Sequence, residues 1–189
     1  MELGANDGVD KSNTCHLDLY RNWHGVLVEP APDKFLQCLS VRGHNNAVFC
    51  NACVSFEYAD RFVEIEYSNL MSFAPSLPTD LQDADTHRAE GLKRLFSPQA
   101  GYRFGALAAP LEDLLKQADA PARIDLLSLD VEGAELEVLK GVDHSQRIFR
   151  YALIECRNRQ RLEDYLGPLG YQVADQLSPH DYLFRHHSA

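Results

Sequence analysis

The chain opens with Glu2-Leu3-Gly4-Ala5-Asn6-Asp7-Gly8, and Val26-Leu27-Val28-Glu29-Pro30 follows about one strand–helix unit later. The first stretch is typical of a short strand that breaks into a glycine-rich turn, and the second is an apolar strand that ends in a carboxylate. Doubly wound α/β sheets hold nucleosides with this pair of features, because the turn brings backbone close to the ligand and the acid accepts hydrogen bonds from the ribose hydroxyls. We therefore expect an α/β fold with a nucleoside site at this edge of its sheet.

Short apolar runs and helical periods alternate along most of the chain, which indicates βαβ units. The apolar side of the first predicted helix carries Cys15, Leu19, Tyr20 and Trp23, and the buried stripe of the second carries Phe35, Leu36 and Leu39. The pattern predicts strands at 1–3, 25–29, 47–54, 124–129 and 151–154, helices at 11–23, 32–42, 111–118, 134–140 and 162–169, and a closing antiparallel hairpin of 171–173 with 182–184.

The middle of the chain follows a different pattern. Residues 62–67 largely alternate, with Val63, Ile65 and Tyr67 on one face and two glutamates on the other, which predicts an added edge strand or hairpin with one buried and one wet face. Periodicity fades from 68 to 103, and a loop of that length is usually a lid, a binding segment or disordered. We expect one domain over residues 1–189, with 56–104 as an inserted strand and lid segment.

Composition excludes several classes of partner. The chain has 189 residues and a net charge of −10, which disfavours nonspecific attraction to nucleic acid or to anionic lipid. No run approaches the roughly 18 apolar residues of a membrane span, and no signal-peptide pattern precedes Gly4. We expect a cytoplasmic protein without nucleic-acid or membrane partners.

Cysteine usage favours the same compartment. The five cysteines form an odd set, which argues for reduced, packed thiols. Cys50-x-x-Cys53 lacks the second pair of ligands that a zinc site requires. The set is Cys15, Cys38, Cys50, Cys53 and Cys156.

The glycine turn departs from the dinucleotide-binding fingerprint. A G-x-G-x-x-G motif counted from Gly4 needs glycines at positions 6 and 9, which are Asn6 and Val9 here. A nicotinamide-dependent oxidoreductase is therefore disfavoured, although it remains an alternative. The pattern Glu2-x-Gly4-x-Asn6-x-Gly8 instead resembles motif one of class I S-adenosylmethionine-dependent methyltransferases.

Two further strands end in acids. An apolar strand runs into Asp130-Val131-Glu132-Gly133-Ala134-Glu135, and Glu155 follows the next strand. Ligands of open α/β sheets bind at the carboxyl ends of strands, so these acids are candidates for a site. For Glu132 and Glu135 the alternative is that they complement a helix dipole, and for Glu155 that it is an exposed acid at a strand end.

Taken together, ELGANDG, GVLVEPAPDKF, IDLLSLDVEGAELEVLKG and ALIECR resemble the FkbM family of methyltransferases. The resemblance covers most of the chain outside residues 68–103. It implies a class I methyltransferase (Rossmann-like) doubly wound sheet, mostly parallel with an antiparallel closing hairpin, in the strand order 3-2-1-4-5-7-6. It also implies methyl transfer from S-adenosylmethionine to a hydroxyl of a small molecule such as a sugar, a polyketide or another natural product.

The resemblance assigns cofactor contacts position by position. It places Glu29 on the ribose and Asp130 closest to the transferred methyl group. The remaining contacts are Glu2, Gly4, Ala5, Asn6 and Gly8 in the turn at the methionine end, Pro30 and Ala31 beside the adenine, and Asn51 and Ala52 at the adenine edge.

Methyl transfer to a hydroxyl needs alignment and a base. Asp130, Glu132 and Glu155 are the candidate catalytic acids, and His180 and Asp181 are weaker candidates. In a less favoured variant, carboxylates at the ends of adjacent strands hold Mg²⁺, as in the similar catechol-type methyltransferases. A noncatalytic S-adenosylmethionine-binding module of the same fold is a further alternative.

Overall fold

The computed structural model describes residues 1–93 and 101–189. Within these ranges the chain forms ten strands and six α-helices. The strands are β1 (Glu2–Leu3), β2 (Val26–Val28), β3 (Ala47–Phe49), β4 (Ala52–Val54), β5 (Phe62–Tyr67), β6 (Tyr102–Pro110), β7 (Arg123–Leu129), β8 (Ile148–Glu155), β9 (Tyr171–Gln176) and β10 (Asp181–His186). The helices are α1 (Cys15–Arg21), α2 (Pro32–Arg42), α3 (Ala84–Leu92), α4 (Leu111–Gln117), α5 (Glu135–Leu139) and α6 (Arg159–Leu166).

The main sheet has seven strands in the order β3-β2-β1-β7-β8-β10-β9. The first five are parallel, and β10 runs antiparallel to both β8 and β9. The fold is therefore mixed α/β with a mostly parallel sheet, as predicted. The strand numbers differ from the predicted 3-2-1-4-5-7-6 because β4, β5 and β6 intervene in the chain and form a second sheet. Counted alone, the strands of the main sheet run 3-2-1-4-5-7-6.

The core lies around the central strands of the main sheet. Leu3, Leu127, Leu129 and Ile154 are at most 1% exposed, as expected for parallel strands that are covered on both faces. Short β1 pairs with β2 on one side and β7 on the other. It is thereby fixed in the middle of the sheet, and its carboxyl end opens between the ends of its two neighbours.

The second sheet has three strands in the order β4-β6-β5. Strand β5 lies at the edge of this sheet and pairs antiparallel with β6. The predicted edge strand at 62–67 is thereby confirmed. Val63 and Ile65 are buried and Glu64 is exposed, as predicted, but Glu66 is only 3% exposed. The prediction of a wet face is wrong at Glu66 because Arg88 and Arg103 neutralise its carboxylate.

Several other predictions of local structure were wrong. The predicted strand 47–54 is split between β3 and β4, which belong to different sheets, and α1 is shorter than the predicted 11–23. Helix α1 buries Cys15 and Asp18, and helix α2 buries Cys38 and Arg42. These faces are buried because Asp18 and Arg42 form an ion pair that joins the two helices. The apolar residues that this arrangement leaves exposed are Leu19, Tyr20, Trp23, Leu36 and Leu39.

Regular structure also occurs where periodicity fades. Helix α3 lies in the polar stretch predicted as a loop, and the Asp83 side chain caps it by accepting a hydrogen bond from the Thr86 amide. Strand β6 starts within the same stretch and joins β4 to β5. Residues 94–100 of the predicted lid lie outside the described residues.

Candidate functional site

A cavity of about 360 Å³ lies at the carboxyl ends of β1, β2, β7 and β8. Its volume falls within the roughly 300–1,000 Å³ of small-molecule sites. Part of its wall comes from residues 65–77 of the inserted segment. The predicted site residues that line it are Gly4, Asn6, Glu29, Pro30, Asn51, Ala52, Asp130, Glu132 and Glu155.

The turn after β1 has an unusual backbone. Gly4, Asn6 and Gly8 all have positive φ, at 76°, 48° and 85°, a region that favours glycine and tolerates asparagine. A β-carbon on Gly4 would overlap the Asp130 carbonyl oxygen, and the Gly4 amide donates to the Val28 carbonyl at 3.1 Å. The turn is therefore pressed between the ends of β2 and β7.

Glu2 and Gly8 do not line the cavity, although the resemblance implied contact with the methionine end of the cofactor. A β-carbon on Gly8 would crowd Cys38 and Arg42. The Glu2 carboxylate is 3.2 Å from the Arg42 guanidinium, which also contacts Asp18 at 2.8 Å. The other groups that donate to Glu2 are the Ser12 and Thr14 hydroxyls, each at 2.7 Å, and the Asn13 amide at 2.8 Å.

Ala5 and Ala31 are also buried away from the cavity wall. They support the site indirectly, through backbone hydrogen bonds. The Ala31 amide donates to a Glu29 carboxylate oxygen at 2.8 Å, and the Ala5 amide donates to the Val28 carbonyl at 3.1 Å. These bonds fix the ends of the strands on which the lining residues sit.

Glu29 is held rigidly at the end of β2. Its Oε1 accepts from the Ala31 amide and its Oε2 accepts from the Asn6 amide, both at 2.8 Å. The side chain lines the cavity although the residue is only 8% exposed. Burial raises the pKa of Glu29 to about 7, and the two backbone hydrogen bonds oppose that rise. A buried carboxylate with both oxygens oriented is suited to accepting hydrogen bonds from a diol.

Three carboxylates meet at the ends of β7 and β8. Asp130, Glu132 and Glu155 each offer an oxygen within 4.8 Å of the other two. The pKa of Asp130 is raised well above its usual value by burial, and further by the negative charges of Glu155 and Glu132. Its Oδ1 is enclosed without a hydrogen-bond partner. This arrangement suits proton transfer, or a bound cation that the crowded acids would share.

Glu132 occupies a strained backbone position. Its φ is 56°, which is rare for a residue with a long side chain. The next residue, Gly133, has a φ of 103°, and a β-carbon there would overlap the Thr79 hydroxyl. Burial raises the pKa of Glu132 to about 7, with Glu155 adding to the rise and Arg157 opposing it.

Arg157 is a positively charged residue that contacts this acidic cluster. It lines the cavity, and its Nη2 donates to Glu132 Oε2 at 3.1 Å and lies 3.9 Å from Glu155 Oε1. Asp80 of the inserted segment accepts from the Arg157 amide at 2.7 Å, and the Asp80 amide donates to the Gly133 carbonyl at 3.1 Å. These hydrogen bonds attach the inserted segment to the ends of β7 and β8.

Comparison with protein families gives one assignment. The model for the methyltransferase FkbM domain matches residues 2–184. The chain belongs to the FkbM methyltransferase family. No curated protein and no solved structure gives a significant match. The resemblance inferred from the motifs is thereby confirmed, and methyl transfer is the activity that the family implies.

The surroundings of the acidic cluster in this FkbM domain also include residues that sequence analysis did not select. His87 of α3 is 7% exposed, and its Nε2 lies 3.2 Å from Glu132 Oε2. Arg157 follows Cys156 just after strand β8, which ends in an acid, so its position in the chain could have indicated it. Asp80 and His87 lie in a polar stretch without periodicity, and nothing in the sequence distinguishes them from their neighbours.

The weaker candidates for the base lie elsewhere in this FkbM domain. His180 and Asp181 are not part of the cavity wall. The Asp181 carboxylate accepts a hydrogen bond from the Ser178 hydroxyl, and the His180 carbonyl accepts one from the Cys156 amide at 2.8 Å. Both residues stabilise the hairpin that closes the sheet. Separately, none of the helices in residues 1–93 and 101–189 is long and apolar enough to span a membrane.

Proposed function

We propose that this FkbM domain is an S-adenosylmethionine-dependent O-methyltransferase that acts on a hydroxyl group of a small molecule. One observation carries the proposal: a single cavity holds the oriented carboxylate of Glu29 and the acidic cluster of Asp130, Glu132 and Glu155. Neighbouring strands are about 4.8 Å apart, so the ends of β2 and β8 are separated by roughly 14 Å across β1 and β7. That span accommodates a nucleoside at one end and an acceptor at the other.

The residues fit the cofactor on three counts. Glu29 offers two fixed carboxylate oxygens for the ribose diol. Gly4 presents bare backbone at the middle of the wall, where a side chain would overlap Asp130. The enclosed Oδ1 of Asp130 lacks a partner that a bound ligand would supply. Pro30, Asn51 and Ala52 would then flank the adenine, and Asn6 would lie beside the methionine end.

S-adenosylmethionine would supply a methyl group on a sulfonium, from which the neutral thioether S-adenosylhomocysteine is a good leaving group. The chain itself must align the acceptor hydroxyl and take its proton. A carboxylate with a pKa near 7 is suited to that step at neutral pH, because about half of it is ionised and that ionised form is more basic than an ordinary carboxylate. Glu132 meets this condition, and Asp130 and Glu155 lie within reach of the same proton.

Two measurements test the proposal. Calorimetric titration with S-adenosylhomocysteine should show binding to the wild type and to D130N. Release of S-adenosylhomocysteine from S-adenosylmethionine, measured with a panel of methyl glycosides, polyols and phenols, should be lost in D130N. Absence of binding, together with a thermal shift produced by NAD, would favour the nicotinamide alternative. Binding without turnover across the panel would favour a noncatalytic module.

A metal-assisted reaction is the second candidate, and one observation favours it. The oxygens of Asp130, Glu132 and Glu155 lie close enough together to share one ion, and carboxylates are the ligands that Mg²⁺ prefers. An ion there would lower the pKa of the acceptor hydroxyl. Loss of turnover in excess chelator, restored by Mg²⁺, would support this variant, whereas full activity in the chelator would exclude it.

A further inference from the structure

His87 connects helix α3 to three residues of the cavity wall. Its Nε2 lies 3.2 Å from Glu132 Oε2, and its ring meets that of Phe73 edge to face, with centroids 5.6 Å apart. The Met71 carbonyl also interacts with the ring. Glu132, Phe73 and Met71 all line the cavity, whereas His87 stands behind them. A single buried side chain therefore supports the acidic end of the site from outside.

The two oxygens of Glu132 have different surroundings. Oε2 is contacted by both His87 Nε2 and Arg157 Nη2. Oε1 has no hydrogen bond within the described part of the chain, and it is not among the enclosed oxygens. Because Glu132 lines the cavity and Oε2 is contacted from two sides, Oε1 is the oxygen that remains available to a ligand there. The enclosed Nε2 of His87 makes no hydrogen bond of ordinary geometry in the described residues. Its approach to Glu132 Oε2 at 3.2 Å is therefore a close polar contact.

Helix α3 is itself anchored at two positions that follow His87. Arg88 pairs with the buried Glu66 at 2.6 Å, and a β-carbon on Gly91 would overlap Ser68. The imidazole is therefore presented by a helix that cannot shift without breaking an ion pair and a close backbone contact. This is the kind of support that holds a reacting group within a fraction of an ångström.

We propose that His87 is a positioning residue, which holds Oε2 of Glu132 so that Oε1 faces the acceptor and thereby makes helix α3 part of the acceptor half of the site. This inference rests on the proposed function, because it takes Glu132 as a carboxylate that meets the acceptor. It predicts that the contact made by Nε2 matters, rather than the volume of the ring.

A matched pair of variants separates these two effects. H87Q places an amide nitrogen close to the position of Nε2, whereas H87N places one close to Nδ1. The first readout needs no acceptor: crystal structures of both variants with S-adenosylhomocysteine should show Glu132 unmoved in H87Q and rotated in H87N. The second is S-adenosylhomocysteine release with the methyl glycoside, polyol and phenol panel, where kcat should fall between about 10- and 100-fold in H87N and recover in H87Q.

The outcomes separate the two proposals. Affinity for S-adenosylhomocysteine should be unchanged in both variants, because His87 does not line the cavity; absence of binding in the wild type would count against the proposed function. An unmoved Glu132 carboxylate in H87N would overturn the role of His87, and so would equal losses of kcat in the two variants. If H87N fails to fold, H87L takes its place in the crystallographic comparison under the same criterion.

Discussion

Gly4 and Asp130 touch through their backbones at the point where β1 and β7 end side by side. A β-carbon on Gly4 would overlap the carbonyl oxygen of Asp130, so the glycine-rich turn and the acidic cluster form one unit. The sequence separates these residues by more than a hundred positions. A substitution at either position should therefore change the geometry at both ends of the cavity.

G4A should disrupt this contact. The added methyl group overlaps the Asp130 carbonyl, and the φ of 76° is unfavourable for alanine. We expect a loss of about 1–3 kcal/mol in the free energy of unfolding, measured in urea, and at least a 10-fold loss of affinity for S-adenosylhomocysteine, measured by calorimetry. G167A is the control, because nothing lies within 4 Å of its new β-carbon. Equal behaviour of the two variants would refute the prediction.

E29Q should weaken nucleoside binding. The amide keeps the size of the side chain but replaces one acceptor by a donor, which would face the amide of Asn6 or Ala31. We expect affinity for S-adenosylhomocysteine to fall by about 10-fold or more, since a charge-assisted hydrogen bond contributes roughly 1.5–3 kcal/mol. The exposed acid Glu57 supplies the control, E57Q. Unchanged affinity in E29Q would remove Glu29 from the site.

Binding should also release a proton near pH 7. The pKa of Glu29 is raised to about 7, so the side chain is mostly protonated at pH 6.5, and hydrogen bonds from a ribose diol favour its charged form. Calorimetry in phosphate and in Tris, which differ in ionisation enthalpy, measures the released protons. The release should disappear above about pH 8.5, where Glu29 is already charged, and in E29Q at any pH. Proton uptake on binding would contradict the assignment.

D130N should stabilise the protein while it abolishes turnover. The pKa of Asp130 is higher in the folded protein than in the unfolded chain, so its contribution to stability is greatest at low pH and falls as the pH rises above about 4. At pH 8 the neutral amide removes the repulsion from Glu155 and Glu132. The melting temperature of D130N should therefore exceed that of the wild type at pH 8, whereas the exposed control D164N should match it. A lower melting temperature in D130N would refute this.

R42M should destabilise the fold strongly. Arg42 is 2% exposed and pairs with Glu2 and Asp18, which are also buried. Removing one partner of a buried network leaves uncompensated charge and costs about 3–5 kcal/mol. Urea unfolding of R42M against R185M, a change at an exposed arginine, measures this cost. Similar stability of the two variants would show that the network is dispensable.

The sequence predicted the parts of the fold that depend on local pattern. Strands β2, β7 and β8 are mainly apolar, and the acids at or just after their carboxyl ends line the cavity as expected for ligand sites of open sheets. Glu29 and Asp130 were identified in this way. Both positions follow from chain direction and burial alone.

The remaining features depend on long-range partners. Leu36 and Leu39 have helical spacing but are exposed, because the buried face of α2 is taken by Cys38 and the charged Arg42. Helix α3 was missed since its buried residues are His87 and Gly91 rather than aliphatic side chains. The contact between His87 and Glu132 joins positions 45 residues apart that no local signal relates.

Glu66 receives Arg88 from the chain before residues 94–100 and Arg103 from the chain after them. Both ends of that connection are thus tied to one buried carboxylate on the second sheet. We therefore expect the cavity wall to keep its shape when the sequence between these two arginines is changed in length. An affinity tag or a fluorophore inserted between Arg88 and Arg103 should accordingly leave the carboxylate ends of β7 and β8 undisturbed.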